Sequence, residues 1–288
     1  MGRNIVKAKL DVIFKRLFAD EDNLDLLHDF LSSLLEIPHD SITNIVVQNP
    51  EIMPESVSGK FSRMDLKLTV NDSLVNVEMQ IKDEPDFRDR VLFYWAKLYS
   101  GDLKSGDEYG DLRQSISINI MNFNMFDCPE YHSVFKIEET TRHEILSDKC
   151  AIHFFELKKI NRKKADKNNR MELWLQLVNA ESEEELDMLQ NTNVPEIKKA
   201  VRVIHRMSDD EKLRELAEMR EKALHVEATA LGHAKREGID IGIGIGIKQG
   251  INQGIQQGKQ ETHDAFIEQM KLSGIPQETI DTIVGRLK

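Results

Sequence analysis

The chain has 288 residues, 40% of them hydrophobic and 31% charged, the profile of a globular protein with one good-sized core and an appendage, or two modest domains. Its net charge of −11 argues against a protein that coats nucleic acid by bulk electrostatics, although basic residues do cluster locally, as in Lys7, Lys9, Lys15 and Arg16. Two cysteines, Cys128 and Cys150, are too few for a disulfide framework or a structural zinc site. With no membrane-length apolar run and no signal-peptide core at the N-terminus, a cytoplasmic address is expected.

Residues 9–35 carry apolar positions at helical spacing (Leu10, Ile13, Phe14, Leu17, Phe18, then Leu24, Leu27, Phe30, Leu31, Leu34, Leu35) and predict two helices ending before Pro38. A short β-branched strand follows over Ile42–Val47. Arg63–Val70 and Leu74–Lys82 alternate apolar and polar residues and flank Asn71-Asp72-Ser73, which predicts a hairpin. Phe87–Leu103 returns to helical spacing and is rich in aromatics. Ser115–Phe123 is a further strand, with candidates at Ser133–Ile137 and Ile152–Leu157. Beyond residue 165 the strand signal fades: Met171–Val178 reads as helix, and Ser208–Glu211 reads as a capping box opening a charged helix. Glycines then recur every four residues from Gly238 to Gly258, most followed by Ile. The order predicts an α/β core with a mixed sheet flanked by helices, over residues 1–165. A helical extension over 166–230 and a glycine-repeat tail over 231–288 complete the chain.

The hairpin carries the chemistry. Alternate side chains of a strand share a face, so Asp65, Lys67 and Thr69 lie opposite the apolar Met64, Leu66, Leu68 and Val70. On the second strand Asn76, Glu78, Gln80 and Lys82 form the polar side. Pairing would bring Asp65 and Glu78 onto one face, where two close carboxylates are best tolerated with a divalent cation between them. Such an ion, Mg²⁺ or Mn²⁺, polarises a phosphodiester and activates water. The pattern alone favours the plainer reading, a solvent-facing hairpin decorated with charge.

Residues 8–123 resemble the recombination-promoting nuclease (Rpn) family, also described as PD-(D/E)XK nuclease family transposases. The resemblance rests on Asp11-Val-Ile-Phe14-Lys15-Arg-Leu-Phe18, Gly59-Lys60 leading to Asp65, and Asn76-Val-Glu78-Met-Gln80. Arg90, Tyr94-Trp95-Ala-Lys-Leu-Tyr99, Gly106, Tyr109 and the strand Ile116–Phe123 continue it. Trp174, the charged helix and the glycine repeat are similar to the family's C-terminal region. The resemblance implies a restriction-endonuclease-like fold and metal-dependent DNA endonuclease activity linked to recombination or mobile DNA. By position, Asp65 and Glu78 would be metal ligands, Gln80 would stand where such motifs carry lysine, and Asp11 would support the site. Gln80 is neutral, so Lys82 or Lys15 is expected to supply positive charge. The alternative is a nuclease-derived DNA-binding or protein-interaction module that no longer cuts.

Elsewhere, the aromatics of 87–103 are expected to pack on the sheet, with Arg90 the DNA contact if this helix follows the backbone. The basic run Lys158–Arg170, including Lys163 and Lys164, suits a solvated loop and a DNA-backbone contact equally. His28-Asp29 and His39-Asp40 look like phosphohydrolase dipeptides, but no further ligands accompany them, and the first pair is expected on a helix surface. In the tail, each glycine costs a helix about 1 kcal/mol relative to Ala, so self-association through residues 210–260 is expected, with a flexible linker as the competing reading.

Overall fold

The computed structural model describes residues 4–48, 66–103, 105–161 and 168–286. The chain forms two compact units, residues 1–221 and 222–288, each described by itself.

In the first unit the N-terminal amphipathic pattern folds as two helices, α1 (Asp11–Phe18) and α2 (Leu24–Leu35). Helix α2 ends where Glu36 turns left-handed (φ 54°), just ahead of Pro38. The sheet has six strands: β1 (Ile45–Val47), β2 (Leu66–Val70), β3 (Ser73–Gln80), β4 (Ser115–Met121), β5 (His132–Phe135) and β6 (Cys150–Glu156). Their order is β1-β2-β3-β4-β6-β5, with β3, β4 and β6 parallel at the centre and the outer pairings antiparallel. The expected mixed sheet is therefore present. At the β2–β3 turn Asn71 adopts φ 51°, a conformation Asn tolerates well. Its side chain also bonds Thr43 N, Asn44 N and Ser41 O, which holds the segment leading into β1 against the hairpin.

Between β3 and β4 runs α3 (Phe87–Ser100), the crossover that two adjacent parallel strands require. It packs on the sheet through Phe87 and Val91, which meet Met121, Cys150, Ile152 and Phe154. The expectation that its aromatics pack on the sheet holds for Phe87 but fails for Phe93, which is 62% exposed. A helix lying on a sheet buries one stripe, and Phe93 is off that stripe.

Four more helices follow: α4 (Arg170–Asn179), α5 (Glu183–Gln190), α6 (Pro195–Asp209) and α7 (Glu211–Leu272). Helices α4 and α6 pack against α2, and a ring cluster of Phe14, Phe18, Phe30 and Trp174 fills their centre. Two expectations change here. Ser208 is not an N-cap; it is buried inside α6, where its hydroxyl accepts from Val6 N and donates to Ile204 O. The cap of α7 is Asp210, whose Oδ1 accepts from Leu213 N. Asp29 is not on a helix surface either. It is 1% exposed, accepts from Trp174 Nε1 at 2.7 Å and pairs with Arg170.

In the second unit α7 continues as helix through the glycine repeat. It ends in a Schellman turn at Gly274 (φ 77°), where Gly274 N donates to Lys271 O and Ile275 N to Met270 O. Helix α8 (Gln277–Arg286) follows and buries Ile280. Among the described residues no helix is long and apolar enough to cross a membrane.

Candidate active site

Register decides which side chains meet. Paired residues of neighbouring strands point to the same side of a sheet. Lys67, Asn76, Ser117 and Ile152 form one row across β2, β3, β4 and β6, and Glu78, Asn119 and Phe154 form the next row across β3, β4 and β6. Ile152 and Phe154 belong to the cluster under α3, so both rows lie on the side that α3 covers. The polar side of β3 is consequently buried: Asn76 is 3% exposed and Glu78 4%. A solvent-facing hairpin is thereby excluded for these two residues.

Burial has an electrostatic consequence. Desolvation raises the Glu78 carboxyl above its ordinary value, while a hydrogen bond from Asn76 and the nearby Arg90 charge pull it down. Asn76 Nδ2 donates to Glu78 Oε1 at 3.3 Å, and Asn76 Oδ1 is buried with no partner among the described residues. A desolvated carboxylate beside an orphaned amide oxygen is a hard oxygen donor set of the kind that Mg²⁺ and Mn²⁺ prefer. The residues present therefore fit a divalent cation. Among the described residues no group of three His, Cys, Asp or Glu side chains would hold a metal unaided. Asp65, the other expected ligand, lies outside the described residues, as do Lys163 and Lys164.

The remaining expected residues are placed as follows. Gln80 closes β3, and its Nε2 donates to Lys82 O at 2.9 Å, which fixes the orientation of the amide. Lys82 lies past the end of the strand, so the alternation that put it on the same face as Gln80 has already stopped. Arg90, on α3, pairs with Glu84 and lies over the Phe87 ring at 5.2 Å. Asp11 opens α1 and accepts from Arg220 Nε at 2.9 Å. Lys15 is half-buried in the last turn of the same helix.

Sequence reading missed part of the polar strip. Asn119 is fully buried, donating to Ser117 Oγ at 3.1 Å and His153 O at 3.0 Å. The signal was present as Ser115, Ser117 and Asn119 alternating with Ile116, Ile118 and Ile120. Glu156 was also missed: its carboxylate accepts from Met125 N and Phe126 N and pairs with Lys159 at 2.5 Å, fixing the loop after β4. Lys159, expected in a solvated loop or on DNA with the run Lys158–Arg170, is instead a buried ion-pair partner.

Residues 8–234 match the family model described as PD-(D/E)XK nuclease family transposase. No curated protein and no solved structure matches the chain. The family match covers most of the sequence and includes the buried Asn76-Val-Glu78-Met-Gln80 strand. The chain belongs to the PD-(D/E)XK nuclease family transposases.

Proposed function

We propose that this protein is a Mg²⁺- or Mn²⁺-dependent DNA endonuclease that hydrolyses phosphodiester bonds in recombination or on mobile DNA. The observation that carries the reading is Glu78: a carboxylate on a central strand, desolvated beside the Asn76 oxygen that has no partner among the described residues, within the stretch that the family model matches. Such burial is costly for a purely structural side chain. Asp65 is the proposed second ligand; it precedes Leu66, whose register partner Val77 precedes Glu78. A divalent cation bound there supplies Lewis-acid activation of phosphodiester and water. Gln80, held through its amide nitrogen, presents an amide oxygen that can accept a hydrogen bond from the attacking water. Arg90 and Lys15 are proposed to contact the DNA backbone together with Lys163 and Lys164, and Asp11 to support the site from α1.

Plasmid nicking with Mg²⁺, with EDTA, and with Asp65→Ala and Glu78→Ala tests this directly. Loss of at least about a hundredfold in each variant and in EDTA is expected. Nicking that survives both substitutions removes the proposal, and DNA binding with no nicking in either metal assigns an inactive binding module instead. Lys82→Ala leaves the carbonyl that orients Gln80 in place. A loss of about tenfold or more gives its ammonium the charge-supplying role, whereas full activity passes that role to Lys15.

The tail is proposed to mediate self-association. Seven isoleucines from Ile239 to Ile255 are 51–58% exposed, and a Cβ added at any glycine from Gly238 to Gly258 would meet nothing within 4 Å. Truncation after Ala230 is expected to lower the particle mass in solution by more than the removed residues account for, leaving fewer copies per particle than the full chain; an unchanged oligomeric state contradicts this.

A further inference from the structure

Helix α3 buries only Phe87, Val91 and Leu98, and leaves Leu92 54% and Phe93 62% exposed. At 3.6 residues per turn, Asp89, Leu92, Phe93, Ala96 and Lys97 share its outer side, and all five are exposed. The face thus has an apolar centre with an acid one turn before it and a base one turn after it. Neither Asp89 nor Lys97 has an ion pair among the described residues.

This arrangement is self-complementary. Across a twofold axis through Phe93, an antiparallel copy of the helix sets residue 93 − n against residue 93 + n. Each Asp89 then faces the Lys97 of the other copy, and the two Phe93 rings meet at the axis. A parallel arrangement would oppose acid to acid and base to base. We propose that α3 forms an isologous contact between two copies of this chain, antiparallel about Phe93.

Nucleic acid is the less suitable occupant. Asp89 lies within the face, and the two arginines that flank it are held off the face: Arg88 bonds Met125 O at 3.0 Å and lies over the Phe126 ring at 5.4 Å, and Arg90 is half-buried and pairs with Glu84. A single pair of 14-residue helices falls short of the roughly 1,200–2,000 Å² that stable interfaces bury. The contact is therefore weak alone and forms when the copies are already held close. It does not depend on the nuclease reading.

Cysteine cross-linking in the full-length chain tests it, with Cys128→Ser to remove the partly exposed thiol. Under mild oxidation Phe93→Cys is expected to form a disulfide dimer at least about fivefold faster than Leu146→Cys, a control at a more open site. Adding either Asp89→Lys or Lys97→Asp opposes like charges twice and slows the cross-link about fivefold, and combining both restores it. Equal rates for the Phe93→Cys and Leu146→Cys proteins, or charge reversals that neither slow nor rescue, overturn the contact. So does DNA binding that Phe93→Cys weakens while no dimer forms.

Discussion

Helices α6 and α7 carry the same kind of sequence signal and meet opposite fates. In α6, Ile197, Ala200, Val201, Ile204 and Met207 recur at three- and four-residue spacing, and every one is buried against neighbouring helices. In α7, Ile239, Ile243, Ile247, Ile251 and Ile255 recur every four residues, and every one is more than half exposed. Periodicity sets which residues share a face; it does not supply the surface opposite. The periods themselves also differ. A mixed three–four pattern averages near 3.6 and stays on one side, whereas a strict period of four drifts by about 40° per repeat. The glycine–isoleucine stripe therefore winds around its helix, and no single straight neighbour can follow all of it.

The contrast can be broken most forcefully in the compact unit. Asp29→Ala leaves the buried Trp174 indole N–H without its carboxylate acceptor, whereas Arg170, 44% exposed, keeps Glu196; losing the buried hydrogen bond to a charged group should cost about 2–3 kcal/mol. Chemical denaturation of the full chain should show that loss, and a change below about 1 kcal/mol would mean that the helical layer does not depend on this network.

A smaller effect is expected with acid. Desolvation, with the neighbouring His132 and Lys136, depresses His153 to about 4. Its unfolded form takes up a proton near 6.5, so the stability this group contributes is present above pH 6.5 and is lost as pH falls towards 4. The loss should be of order 1–3 kcal/mol across that window. His153→Phe, which keeps the stacking on Phe155, should flatten the acid limb of a melting-temperature profile.

The tail predicts the reverse sign. Gly246→Ala and Gly250→Ala meet no atoms within 4 Å, so each should stabilise the helix by about 1 kcal/mol and raise the helical content seen by circular dichroism. If the tail self-associates through the stripe, the same substitutions weaken the assembly in sedimentation. Gains in both would show that the glycines are not contact positions.

The smallest shift concerns the site. Because burial raises Glu78, its charge opposes folding above its raised pKa and this opposition fades as pH falls through it. Glu78→Gln should therefore melt about 2–4 °C higher than the natural chain at pH 7, with the gap closing in acid. Mg²⁺ should raise the melting temperature of the natural chain and not of the variant.

Much of the fold was legible because its signals are local. The β2–β3 hairpin, α3 and the central strands follow from alternation, helical spacing and a turn that Asn71 favours. Less visible were α5 and α6, whose charged surfaces mask a narrow buried stripe, and the true cap, Asp210, which sits two residues beyond the Ser208 that resembles one. The candidate site was half legible. Asn76, Glu78 and Gln80 were readable as one side of β3, but alternation treats both sides of a strand alike and cannot say which is covered.

The sequence by itself determined the elements, the polar row on β3 and the glycine period, because each depends on residues a few positions apart. Only the tertiary structure decided that α3 closes over that row, that Asp29 is interior and that the tail's isoleucines lack a cover within the unit. Those outcomes depend on desolvation by elements distant in the chain, and no local spacing encodes what a side chain will be packed against.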